Sequence, residues 1–184
     1  MSPAQLMAYL GPALMAAALL TALLMAALGA LRRGNSLPLA RLIFLISFFL
    51  ILTQYPFPDP AHMNCRQGGA QPILQPFAIF DRFAVLATQT EGLWPWIGDK
   101  VVQSSGMNLV LCLLIGLALA RYLPARGALR LAFALGATLS MTAELLQLTG
   151  ILGLFPCAYR QFEVDDLILN IGGVVLGAAL ARSP

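Results

Sequence analysis

Charge is what this sequence has least of. Only 10% of its 184 residues are Asp, Glu, Lys or Arg, against roughly 25% in an ordinary soluble domain. With 59% hydrophobic residues and a mean hydropathy of +0.81, long windows carry no polar face at all, and lipid is the solvent that accepts them. Histidine is scarcer still. His62 stands alone in a Pro-rich loop, and no HExxH or CxxC spacing exists, which excludes the familiar zinc arrangements. Glu144, Asp165, Asp166 and Asn170 are hard oxygen donors of the kind Mg²⁺, Mn²⁺ or Ca²⁺ accept, yet with no histidine or known ligand spacing beside them no resident metal is expected. A phosphate-binding glycine loop is also missing, because the Gly-Gly pairs at 68–69 and 172–173 have the wrong context. Ser104 and Ser105 have no histidine nearby in sequence to activate them. The net charge of +3 therefore marks membrane topology rather than a nucleic-acid partner. No cofactor is named by any of these patterns.

What is present is a series of apolar runs. A crossing needs about 20 residues at 1.5 Å each, and five stretches qualify, at about 6–31, 39–54, 107–123, 129–152 and 164–181. The expected fold is an all-α, polytopic membrane helix bundle, with residues 1–184 forming one membrane domain. "MAALGA" at 25–30 offers small residues to a signal peptidase, but a positive n-region is missing and the run is long, so the first run is read as a span. Arg32, Arg33, Arg41, Arg121, Arg126, Arg130 and Arg182 fall on one side of such a bundle. The eight acids, Asp59, Asp81, Glu91, Asp99, Glu144, Glu163, Asp165 and Asp166, fall on the other side or in the half-helices approaching it. The positive-inside tendency then predicts an outer N-terminus and a cytoplasmic C-terminus, in a multi-pass protein of a bacterial inner membrane.

The connection 55–106 is too apolar for a plain linker. "YPFPDP" reads as an extended exit from the membrane, "PFAIFDRFAVLATQ" has its aromatics near helical spacing and predicts an interfacial helix over 77–89, and "LWPWIG" reads as an aromatic anchor. A short re-entrant segment is the alternative. Cys65 and Cys157 both fall in outer connections, where a disulfide is chemically permitted; Cys112 reads as a small packing residue.

Chemistry gathers in the last three spans. At three- and four-residue steps, Asp166, Asn170, Gly173, Gly177 and Ala181 form one stripe, Gly136, Ser140, Glu144 and Gln147 a second, and Asn108, Cys112, Gly116 and Ala120 a third that drifts around its axis. Gly173 and Gly177 make a GxxxG, the spacing that lets helices approach closely in lipid. If the small halves pack, the polar halves converge into an outward-facing cup. By helical rise, Glu144 would lie roughly 12 Å and Gln147 about 7 Å below the outer end of the fourth span, and Asn170 about 9 Å and Asp166 about 3 Å into the fifth. A carboxylate at the depth of Glu144 is expected to face protein or a wet cavity, either contacting a ligand or bonded to Asn108 or Gln147. Asp165 and Asp166 favour the positive end of a helix dipole; adjacent on a helix, they point about 100° apart, with Asp166 inward and Asp165 as a cap or a partner of Arg160.

At these residues the chain resembles the VanZ-like family of bacterial membrane proteins. The match rests on "NLVLCLLIG" at 108–116, "AELLQLTG" at 143–150 and "RQFEVDDLILNIGGVVLG" at 160–177, with an echo in "LQPF" at 74–77. The resemblance implies that Asn108, Glu144, Gln147, Arg160, Asp165, Asp166 and Asn170 hold the family's polar positions. Glu163, Leu114 and Cys112 depart from its usual Asp, Pro and aromatic residues. The family's namesake is associated with low-level teicoplanin resistance, which implies an envelope role without naming a reaction. Three functions are accordingly open: binding of a membrane lipid or lipid-linked envelope precursor in the cup, with Asn108, Gln147, Arg160, Asp165 and Asn170 as ligand-binding residues; an enzyme acting on such a lipid through Glu144 and Asp166; and a structural or assembly factor. Transport fits less well, since five helices without discontinuous segments offer little material for alternating access.

Overall fold

The structure is a computed structural model and describes residues 3–29, 36–89, 92 and 94–182, with the side chains of residues 3–6 and 94 outside the description. Arg32, Arg33 and Glu91, three of the charged residues used above to assign sides, lie outside the described residues. The elements are α1 (Pro3–Ala27), α2 (Ser36–Gln54), α3 (Ile79–Gln89), α4 (Trp94–Gly98), α5 (Lys100–Leu119), α6 (Ala128–Leu148), α7 (Gly150–Gly153) and α8 (Val164–Leu180). The protein is an all-helical membrane bundle. Four helices, α1, α2, α5 and α6, are long and apolar enough to cross a membrane. The fifth expected crossing, α8, has 17 residues, about 26 Å at 1.5 Å each.

Packing explains why the apolar runs are not interchangeable. The most extensive helix pairing is α5 with α8, followed by α6 with α8 and α1 with α2, while α5 and α6 barely meet. The last helix is therefore wedged between α5 and α6. Its glycines make this possible. A Cβ placed on Gly177 would fall on the Leu113 carbonyl oxygen of α5, and one on Gly173 would lie 2.8 Å from Leu109 O and Cys112 Cβ. In return Gly116 of α5 receives the Val174 carbonyl, and Gly136 of α6 faces the Val174 side chain. Between lipid-solvated helices such close backbone approach supplies the attraction that hydrophobic burial cannot.

Two of the helix ends that differ from the expected boundaries bear on the site. α5 begins at Lys100 rather than near 107, because the Asp99 carboxylate caps it, accepting from Val101 N at 3.0 Å and Val102 N at 3.2 Å. Arg82 of α3 bonds the same carboxylate, and that interaction holds the Asp99 carboxyl below its ordinary range. α6 stops at Leu148 rather than continuing to 152. Thr149 Oγ1 accepts from Leu152 N at 3.0 Å, and Ile151 and Leu152 take left-handed φ angles of 53° and 56°, a conformation that disfavours branched side chains. Glu144 is thus only four residues from the helix end, about 6 Å, half the depth expected from the longer helix.

The long connection folds back over this end. Among the described residues there is no strand, but 68–73 runs beside 158–164 through two isolated parallel bridges, Gly69 with Ala158 and Ile73 with Glu163. Ala70 N donates to Ala158 O at 2.9 Å and Ile73 N to Phe162 O at 2.8 Å. Cys65 and Cys157 form a disulfide beside them, with Cα atoms 5.6 Å apart.

Candidate functional site: a polar cleft at one end of the bundle

Because α8 is central, its first two turns face residues from both neighbours. Asn170, 1% exposed, is where the three stripes meet. Its amide donates to Ser140 Oγ on α6 at 3.0 Å, and its carbonyl oxygen accepts from Cys112 Sγ on α5 at 3.4 Å. Both bonds lie in the buried interior, so Asn170 locks the helices and does not open to solvent. Glu144, also 1% exposed, accepts from Glu163 N at 3.0 Å. The amide it holds is that of the residue just before α8, one of the orphan donors at a helix start. The expected partners Asn108 and Gln147 are not the ones Glu144 takes.

Asp165 is buried and accepts from Phe77 N and, at 2.8 Å, from Ile79 N. It caps the entry to α3, not Arg160 and not its own helix. Phe77 has a left-handed φ of 65°, so the carboxylate anchors a strained turn of the long connection. The contact joins the end of "LQPF" at 74–77 to the first acid of the Asp-Asp pair.

Above this layer opens a cleft of about 300 Å³. Asn108 and Asp166 face each other there, with Gln147, Arg160 and Glu163 on the surrounding wall. Arg160 donates to Tyr55 O at 3.0 Å, an oxygen that also accepts from Tyr9 of α1 at 3.3 Å. Gln147 donates to Thr53 O at 2.9 Å, while its Oε1, in a residue only 3% exposed, has no hydrogen-bond partner among the described residues. Of the seven residues singled out by sequence, four (Asn108, Gln147, Arg160 and Asp166) line the cleft. Glu144, Asp165 and Asn170 lie beneath or beside it, bonded to the chain itself.

Sequence reasoning missed several neighbours. Tyr9 and Thr53 come from the first two helices, which carry none of the quoted motifs. Tyr159 donates its hydroxyl to Gln54 at 3.0 Å, and Gln54 in turn donates to Ala143 O at 3.1 Å, tying α2 to α6. The only signal for these was the presence of glutamine and threonine at the end of an apolar run, where an unpaired polar group is costly. Glu163, in the sequence a topology marker and a motif element, lines the cleft. Burial pushes its carboxyl above its ordinary value, nearby Asp166 and Asp165 push it further, and Arg160 opposes them. The Tyr159 hydroxyl is likewise pushed up by burial, to about 12. Among the described residues no three His, Cys, Asp or Glu side chains converge as metal ligands would.

The fold and the cleft define a polytopic membrane protein with a polar opening at one end of a small-residue bundle. The profile of the VanZ/LLP1 family matches residues 41–183, and the chain belongs to that family. No solved structure and no curated protein sequence matches it.

Proposed function

We propose that the cleft binds the polar head group of a membrane lipid or lipid-linked envelope precursor, in a five-span protein whose cleft faces the outside of a bacterial inner membrane. The observation that carries this reading is the bare Oε1 of Gln147. Gln147 is one of the residues that line the cleft, its Oε1 is buried with no partner among the described residues, and the roughly 1–3 kcal/mol that such an acceptor costs would be offset by a hydroxyl or amine that reaches it from the cleft. Asp166 and Glu163 add acceptors for the same kind of donor, Asn108 can both donate and accept, and Arg160 supplies positive charge for a phosphate. Asn170, Glu144 and Asp165 contribute by holding the frame: the first joins three helices, the second fixes the start of α8, the third anchors the cover. Counting α8 as a crossing supports an outer cleft, since the described arginines Arg41, Arg121, Arg126, Arg130 and Arg182 then share the inner side. A link to glycopeptide resistance would follow from altered access to envelope precursors.

Native mass spectrometry of the detergent-purified protein, after incubation with bacterial inner-membrane lipid extract, tests this. A lipid bearing hydroxyl or amine groups should be retained by the parent protein and lost from Asn108→Ala and Arg160→Gln variants that melt normally. Equal retention by all three would remove the cleft as the binding site. An enzyme using Glu144 and Asp166 is the second reading, and Asp166 has the open position it requires. In that case Asp166→Asn should still retain lipid but stop its chemical conversion.

A further inference from the structure

A second cavity, of about 430 Å³, lies at the opposite end of the bundle. It is formed where the start of α2 meets the ends of α5 and α8, whereas the polar cleft is formed by the end of α2 and the starts of α5 and α8. Leu37, Pro38, Leu117 and Ala181 give it an apolar wall, and Arg41 and Arg121 stand beside that wall. Leu37 is 73% exposed, so the wall is open to whatever surrounds the bundle. Both arginines are exposed. Among the described residues neither has an ion pair, and the described acids lie at the other end or in the connection above it.

Two uncompensated guanidinium groups next to an apolar surface, at the end of membrane-crossing helices, match one chemistry well. A soluble anion would use the charges but leave the wall wet. A neutral acyl chain would use the wall but leave the charges idle. We propose that this cavity holds an anionic phospholipid, with its phosphate between Arg41 and Arg121 and one acyl chain along Leu37, Leu117 and Ala181. Guanidinium forks bind phosphate oxygens in pairs, and basic pockets between transmembrane helices select lipids of net negative charge. The site is separate from the polar cleft and does not depend on what binds there.

The test is native mass spectrometry of the full-length protein in detergent, after incubation with phosphatidylglycerol or phosphatidylcholine of identical chains. Phosphatidylglycerol should be retained in preference, and the Arg41→Gln/Arg121→Gln double variant should lose roughly tenfold of that retention while phosphatidylcholine is unaffected. Arg126→Gln/Arg130→Gln, at the same end but off the cavity, should keep the preference. Equal retention of the two lipids overturns the proposal. So does an equal loss in both double variants, which marks diffuse surface charge, or a loss in Arg160→Gln with none in Arg41→Gln/Arg121→Gln, which puts the lipid in the other opening. A protein dimer that excludes phosphatidylglycerol overturns it too, by making a second copy the occupant.

Discussion

The two ends of this bundle are built from the same helices and treat polar groups in opposite ways. At the polar end nearly every buried donor and acceptor is bonded to the chain: Asn170 to Ser140 and Cys112, Glu144 to Glu163 N, Asp165 to two amides of the long connection. At the basic end, Arg41 and Arg121 make no such bond among the described residues, and the one arginine contact there is Arg182 donating to Pro124 O at 3.0 Å. The difference teaches how to separate architecture from ligand binding in a protein rich in intramembrane polar residues. A buried group satisfied by its own chain is a fastener, and a buried group without a partner among the described residues, such as Gln147 Oε1, is where a ligand has something to offer.

Breaking both ends at once should have the largest effect. Gly177→Leu places a side chain on the Leu113 carbonyl and should part α5 from α8, at a cost of about 3 kcal/mol, seen as loss of the folded species in detergent melting. Breaking only the polar end comes next. Asp165→Ala strands two amides near Phe77 and should cost about 2 kcal/mol, with protease sensitivity appearing in 55–99 while the basic end stays protected. Cys65→Ser, which opens the link to Cys157, should expose the same segment to protease with less effect on melting, because the bridges at Gly69 and Ile73 remain.

A pH series sharpens the contrast further. The Glu163 carboxyl has its folded value raised above an ordinary 4.5, so the folded chain holds that proton more tightly than the unfolded one. Stability should therefore fall as pH rises from about 4.5 through the raised value, and then level off. Glu163→Gln should make this decline shallower, which a melting series against pH can read. The smallest effect belongs to the basic end. Arg121→Gln should change stability by no more than about 0.5 kcal/mol, since no described residue is hydrogen-bonded or ion-paired to its side chain.

Much of the membrane character and part of the cleft were legible in the residues themselves. Apolar runs of sufficient length announced α1, α2, α5 and α6, and GxxxG announced the close approach of α8, because in lipid only small residues let backbones meet. The polar stripes at three- and four-residue steps pointed to Asn108, Gln147 and Asp166 sharing an opening, and the family blocks added Arg160. Helix ends were less legible. α5 is lengthened by a cap on Asp99 that follows an aromatic stretch, and α6 ends at a left-handed glycine, Gly150, directly after its cap Thr149, a stop signal that the apolar run continuing to 152 obscures.

The sequence alone determined solvent, helix periodicity and which faces are slim enough to touch, because these depend on hydrophobicity and side-chain volume counted along one chain. Tertiary structure alone decided partners. That Glu144 serves the amide of Glu163, that Asp165 reaches 88 residues back to Phe77, and that Gln147 keeps one oxygen bare all depend on which orphan group the folded neighbour presents, and a hydrogen bond is fixed by a few tenths of an ångström in space rather than by spacing in sequence.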